Sequence, residues 1–301
     1  MIVIRLKGNL GNQMFQYAAA RTLADRVGTN LLMAGLEYNF LYEPFGIGLS
    51  RYSNRLCYHL LDPLRRVRRL RTFTPERRRF TEDMVFEGYD ERFHSLEDNV
   101  FLEGWFQSAE YFETRADDVR SWFKPRRPIR EEIERVDAAL PVPPERRCAI
   151  HLRFGDYYMQ DYWWAHPVLG WVLPPAYYRT ALASFPPDLS FIVFSDMPGR
   201  ARQWLAGIPN MVVLEGNRPI VDLFTMSRCR FMVISNSTFA WWAAYLNVVP
   251  GKRVLAPKHF LGWWRRVWAP ERIAVDGWDF LEVPHVVDGE LVGPAFCETS
   301  R

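Results

Sequence analysis

Beyond residue 147 the sequence alternates short apolar runs with helical patterns, and this alternation restricts the fold more than any other feature of the chain. Runs at 148–153, 191–194, 212–214, 231–234 and 253–256 have strand character, and helical patterns fall between them at 175–185, 199–206, 220–228 and 239–247. Strands that alternate with helices build a parallel sheet covered on both faces. The chain opens in the same way: Ile2-Val3-Ile4-Arg5-Leu6 is a β-branched run, a loop with Gly8 and Gly11 follows, and a helical pattern continues to residue 27. The expected architecture is α/β, with two Rossmann-like domains facing a cleft. Prolines at 125 and 128 and again at 141, 143 and 144 break regular structure around one short helix, 130–139. The boundary is placed there, giving domains of residues 1–140 and 141–301.

Composition narrows the function classes. With 301 residues and 49% hydrophobic content the chain can bury a sizeable core. Its 38 basic and 35 acidic residues leave a formal charge of +3, too little for a general nucleic-acid field, so an anionic ligand needs a local site. Cys57, Cys148, Cys229 and Cys297 form no Cys-x-x-Cys pair, which argues against a disulfide scaffold or structural zinc and for a reducing, cytoplasmic compartment. No basic region precedes the apolar start and no apolar run reaches the roughly 18 residues of a membrane span. The expectation is a soluble or peripheral protein. Arg65, Arg66, Arg68, Arg69, Arg71, Arg77, Arg78 and Arg79 crowd one stretch. It reads as a solvated surface, with contact to an anionic inner membrane as the alternative.

In open parallel sheets, ligands bind beyond the carboxyl ends of the strands, so the strand-to-loop junctions hold the candidate residues. The 148–153 strand puts His151 and Arg153 on one face with Arg153 at the carboxyl end; Gly155 permits a turn and Asp156 can fold back. The competing reading is an Arg153–Asp156 ion pair beside a buried core histidine. The 231–234 strand runs into Ser235, Asn236, Ser237, Thr238 and Phe239 at the start of a helix, where backbone amides and the helix dipole favour phosphate. Plain helix capping by Ser237 or Thr238 is the alternative. Asp196 ends the 191–194 strand and can bind a ribose or base edge, or cap the next helix. Trp241 and Trp242 read as core. No Asp-x-Asp, zinc-like cluster, Walker loop or Gly-x-Gly-x-x-Gly fingerprint occurs, so no metal or cofactor is expected and a bound diphosphate would rely on arginine and helix amides.

In order along the chain, Gly11-Asn12-Gln13-Met14-Phe15-Gln16-Tyr17-Ala18, Gly104-Trp105-Phe106-Gln107-Ser108, His151-Leu152-Arg153-Phe154-Gly155-Asp156-Tyr157, Phe194-Ser195-Asp196, Asp222 with Met226-Ser227, and Ser235-Asn236-Ser237-Thr238-Phe239-Ala240-Trp241-Trp242 resemble glycosyltransferase family 11, the α1,2-fucosyltransferases. The resemblance implies a GT-B-like fold, GDP-fucose as donor, a galactoside-terminated glycan as acceptor, inversion at the anomeric carbon and no metal. It further implies that residues 1–140 form the acceptor side and 141–301 bind the GDP-sugar. Arg153 is implied to contact the β-phosphate, Asn12 to lie near the donor and acceptor, Ser235 to Thr238 to form the diphosphate loop, and Gly11, Asp196 and Phe239 to bind the donor. Asp156 is the first candidate base and His151 the second. Phe154 and Met197 depart from the usual pattern, which leaves another GDP-deoxysugar open as donor. The rival classes are a nucleotide-dependent oxidoreductase, disfavoured by the missing fingerprint, and a noncatalytic carbohydrate-binding protein.

Overall fold

A computed structural model of the chain describes residues 1–36, 38–48, 53–79, 85–155, 171–263, 266–287 and 290–292. The chain packs into two units, Met1–Arg130 with Pro270–Ala274, and Glu131–Ala269 with Val275–Arg301. The division falls within helix Arg127–Ala138, between the two groups of prolines and about ten residues before the 140/141 boundary expected.

In the first unit, β1 (Ile2–Arg5) pairs in parallel with β2 (Leu31–Ala34) and with β6 (Val100–Leu102), and β3 (Arg71–Phe73) adds to β6. The sheet order is β2-β1-β6-β3. Central β1 has strand neighbours on both edges and helices over its faces, so its β-branched Ile2, Val3 and Ile4 are all fully buried. From Gly8 the chain turns into α1 (Leu10–Arg26), which is buried along most of its circumference. A helix enclosed this far must satisfy any inward polar group, and Gln13 and Gln16 are the groups concerned.

After the short α2 (Tyr42–Phe45), the arginine-rich stretch 51–98, which lacks a clear period, contains α3 (Ser53–His59) and α4 (Leu61–Arg68). It also contains β3 and an antiparallel pair, β4 (Arg77–Arg79) with β5 (Val85–Glu87). Only a narrow inner side of α3 and α4 is buried, with Cys57, Tyr58 and Leu61 against Val3, Ala34 and Phe101, and this is why the polar composition conceals the helices. The helical pattern at 108–122 resolves into 3₁₀ turns followed by α5 (Ala116–Trp122). The helix expected at 130–139 is α6 (Arg127–Ala138).

In the second unit, β7 (Arg147–Leu152), α7 (Pro175–Ala183), β8 (Ser190–Ser195), α8 (Pro198–Trp204), β9 (Met211–Val213), α9 (Pro219–Met226), β10 (Phe231–Val233), α10 (Thr238–Leu246) and β11 (Arg253–Pro257) follow the alternation expected. A further parallel strand, β12 (Asp279–Leu281), completes the order β12-β11-β10-β7-β8-β9. Counted along the chain this is the 3-2-1-4-5-6 order of a doubly wound sheet, whose switch point lies between β7 and β10. Every residue of β7 is buried. Trp241 and Trp242 are core as expected, Trp241 stacking on Tyr245 with ring centroids 4.8 Å apart. A small hairpin, β13 (His285–Val287) and β14 (Glu290–Val292), lies near the end of the described chain.

Candidate functional site

The switch point of the second unit gathers most of the residues singled out in the sequence. Leu152 of β7 is in register with Ser195 of β8, so Arg153 and Asp196 leave the sheet side by side. Arg153 Nη1 lies 2.9 Å from Asp196 Oδ2, and the Phe154 backbone N–H donates to Asp196 Oδ1 at 2.9 Å. A Cβ at Gly155 would stand 2.5 Å from Asp196 Oδ2, so glycine here is what allows the carboxylate to approach. The Arg153–Asp156 pair offered by the sequence involves a residue that lies outside the described residues; within them, Arg153 pairs with Asp196. Asp196 does not cap α8 either, because Met197 holds the cap position and the Asp196 carboxylate faces Arg153.

His151, one position before the end of β7, has Nδ1 2.8 Å from Ser235 Oγ just beyond β10, so a buried polar contact bridges the two strands that flank the switch. Burial, and after it the charge of Arg153, pushes the imidazole down to about 3, which makes it neutral at physiological pH. Its ring lies 5.6 Å from that of Phe239. Ser237 occupies the N-cap of α10 with extended dihedrals, yet its hydroxyl makes no capping bond. Helix amides in a first turn have no intrahelical acceptor, and their dipoles favour an anion. Asn236 Nδ2 donates to the Trp171 carbonyl at 2.8 Å, and the Tyr177 hydroxyl donates to the Ile234 carbonyl at 2.9 Å. These two bonds fix the backbone that carries Ser235 to Thr238.

Asp222, on α9, is a third feature of this unit, half-buried between the buried Val221 and Leu223. Asn217 Nδ2 donates to its Oδ1 at 2.9 Å, while burial raises the carboxyl to about 6. In the sequence Asp222 stands only as a motif letter; its raised carboxyl is signalled there by its place between the apolar Val221 and Leu223.

The first unit has its own organised switch point, between β1 and β6. Gly8 adopts φ +72°, and a Cβ there would come 2.5 Å from Asn12 Nδ2 and 2.9 Å from Trp105. Asn12 stands in the first turn of α1, where its Oδ1 accepts from Gln107 Nε2 at 2.9 Å; Gly11 precedes it, buried. Gln13 donates to the carbonyls of Gly8 at 3.0 Å and Tyr38 at 2.6 Å and accepts from the Phe40 N–H at 2.9 Å. Gln16 accepts from the Lys7 N–H at 3.0 Å and donates to the Gly104 carbonyl at 3.2 Å. Lys7 Nζ lies 4.1 Å from the Trp105 ring centroid and 3.7 Å from Glu87 Oε1. The two glutamines were legible as motif letters but not as organisers, because their partners are backbone atoms distant in sequence.

Chemically, the second unit sets a guanidinium at the carboxyl end of β7 and a helix N-terminus after the neighbouring β10. That is an arrangement suited to phosphate oxygens. Among the described residues no group of three His, Cys, Asp or Glu side chains is placed to hold a metal ion.

The sequence model of glycosyl transferase family 11 matches residues 1–260. The chain is 27% identical over 291 residues to the O-antigen biosynthesis glycosyltransferase WbnK of Escherichia coli, covering 84% of this chain and 92% of that protein. It is 26% identical to an alpha-1,2-colitosyltransferase of Escherichia coli, covering 82% and 88%. It is also 27% identical to the mouse galactoside 2-alpha-L-fucosyltransferase Sec1, covering 82% and 64%. Among solved structures it is similar to the fucosyltransferase NodZ from Bradyrhizobium, with a TM-score of 0.46 and 16% identity over 81% of this chain and 91% of that one. The family match takes in the described residues of both switch points, and the chain belongs to glycosyltransferase family 11.

Proposed function

We propose that this transferase moves L-fucose from GDP-fucose to a hydroxyl of a galactoside-terminated glycan, forming an α1,2 linkage with inversion and without a metal ion. The observation that carries the reading is Arg153, held by Asp196 at the switch point of a doubly wound sheet in a family 11 chain. As the bond between the anomeric carbon and the β-phosphate oxygen breaks, negative charge grows on the departing GDP. A fixed guanidinium and the first amides of α10, at Thr238 and Phe239, stabilise that charge more in the transition state than in the ground state. The acceptor oxygen attacks from the opposite face and loses its proton to a base, which this reading assigns to Asp156.

His151 acts as a positioning residue. It is neutral, its Nδ1 is engaged by Ser235, and it holds the β10–α10 loop against β7. Ser235, Asn236 and Ser237 shape the diphosphate loop, and Asp196 orients Arg153. The first unit takes the acceptor, with Gly11 and Asn12 near the transferred sugar. Free thiols at Cys57, Cys148 and Cys229 support the cytoplasm as its place of work.

A second donor is favoured by one observation: a relative that covers most of the chain is named for transfer of colitose rather than fucose. Incubation with a panel of GDP-sugars and galactosides, with linkage analysis of the products, tests both readings. An α1,2-fucosylated galactoside is the expected product. Binding of NADH with no GDP released from any donor would overturn the proposal.

A further inference from the structure

The helical segment α3–α4 has two apolar sides, and the fold uses only one of them. Cys57, Tyr58 and Leu61 face the sheet, and Arg65 turns the same way, its guanidinium 3.9 Å from the Phe101 ring centroid. The helix turns carry through the junction at Leu60, whose N–H donates to the Leu56 carbonyl at 3.1 Å and whose carbonyl accepts from the Leu64 N–H at 3.1 Å. On the outer side, Leu56, Leu60, Pro63 and Val67 fall at positions i, i+4, i+7 and i+11, a single stripe along a helix. Leu56 is 66% exposed, Leu60 55% and Val67 81%. Isolated exposed aliphatic residues are ordinary, but a continuous stripe on one helix marks a surface that meets an apolar partner.

The charges around the stripe select the partner. Arg55, Arg66, Arg68 and Arg69 are all exposed, and Asp62 is the one acid between residues 53 and 71. Among the described residues Arg66, Arg68 and Arg69 form no ion pair, so their charge is directed to solvent. The sequence grouped eight arginines here, and the structure redistributes them: Arg65 points inward, Arg71 lies 3.9 Å from Glu97, and the side chains at 77–79 lie outside the described residues. A second copy of the chain on this stripe would bring arginine against arginine with a single aspartate from each side to offset them. An anionic bilayer instead offers headgroup charge to the guanidiniums and acyl chains to the leucines and the valine.

We propose that α3–α4 docks the protein on an anionic membrane surface, with Leu56, Leu60 and Val67 inserted at the interface and Arg55, Arg66, Arg68 and Arg69 at the headgroups. The helices lie in the surface plane and do not cross it; no helix among the described residues is long and apolar enough to span a bilayer.

The test is sedimentation of the full chain with vesicles of phosphatidylcholine alone or mixed with phosphatidylglycerol, at low and high salt. Binding is expected only to the mixed vesicles, weakening as salt rises. The paired substitutions Leu60→Gln with Val67→Gln, and Arg66→Gln with Arg68→Gln, should each reduce partitioning by about tenfold or more. Neither pair should change the thermal melt or turnover of a soluble acceptor. Equal sedimentation with both vesicle types, or anionic binding indifferent to both variants, overturns the proposal. So does a wild-type oligomer that dissociates in the Leu60/Val67 variant without any vesicle binding, since the stripe would then be a subunit interface.

Discussion

Arg153 and Asp196 are the first residues beyond the last register pair of two parallel strands, and their charged groups meet at 2.9 Å. The carboxylate fixes the direction of the guanidinium, so the cation is aimed before any ligand arrives. Lysine at 153 keeps the charge but loses the planar fork, and Arg153→Lys is predicted to be severely impaired. Arg153→Ala should lose on the order of a hundredfold or more in kcat, as expected for removal of a preorganised donor to developing charge. Asp196→Asn, which keeps an acceptor for the Phe154 N–H, should lose less. Turnover per folded molecule, read beside a thermal melt, decides the matter. Near-normal kcat in well-folded Arg153→Ala would show that the pair is structural.

Activity is predicted to survive chelation. The described residues hold no group of side chains placed for a metal, and the proposed charge stabilisation rests on Arg153 and helix amides. The check is the transfer rate in EDTA and after restoring Mg²⁺ or Mn²⁺. An absolute requirement for added metal would falsify the site as described.

A buried histidine and a half-buried aspartate predict opposing pH effects on stability. His151 titrates near 3 when folded against an ordinary value of 6.5, so below 6.5 only the unfolded chain gains that proton, and stability is lost as pH falls from 6.5 toward 3. Asp222 titrates near 6 against 3.8; its burial opposes folding above pH 6, and this penalty is relieved as pH falls from 6 toward 3.8. Asp222→Asn should therefore raise stability at pH 7 by about 1–3 kcal/mol and do little at pH 4. Denaturant melts of both proteins across this range provide the measurement. A variant destabilised equally at both pH values would contradict the assigned protonation.

Gln13 makes three bonds to backbone from a fully buried position. Gln13→Leu keeps much of the volume but strands the Phe40 N–H and the two carbonyls, and is predicted to cost about 2–5 kcal/mol. The readout is the midpoint of denaturant unfolding. A loss below that of an ordinary surface substitution would mean that water replaces the amide.

Much of the second unit was legible because its strands are buried on both faces. Continuous apolar runs such as Phe191-Ile192-Val193-Phe194, separated by helical patterns, permit few other folds. The strand-end rule then pointed to Arg153, Ser235 and Asp196 without any alignment. The pairing of Arg153 with Asp196 was not legible, because the two residues are distant in sequence and meet only through the parallel register of β7 and β8. β12 was missed because Asp279-Phe280-Leu281 is a short edge strand with no pattern of its own. In the first unit the helices of the arginine-rich stretch were hidden because few of their residues face inward, and turn-organising glutamines leave no periodic signature.

The strand order of the second unit also sets when the site can form. β7 finds β8 soon after it is made, but its other neighbour, β10, arrives only after β9 and α9, and the His151–Ser235 contact closes a separation of 84 residues. Contacts this remote in sequence are closed late, since the loop entropy must be overcome before they form. During synthesis β7 thus waits with one apolar edge uncovered until the segment carrying Ser235 and α10 has left the ribosome. A nascent chain stalled before that point has Arg153 but no phosphate loop, and its exposed strand edge is what a chaperone would meet first.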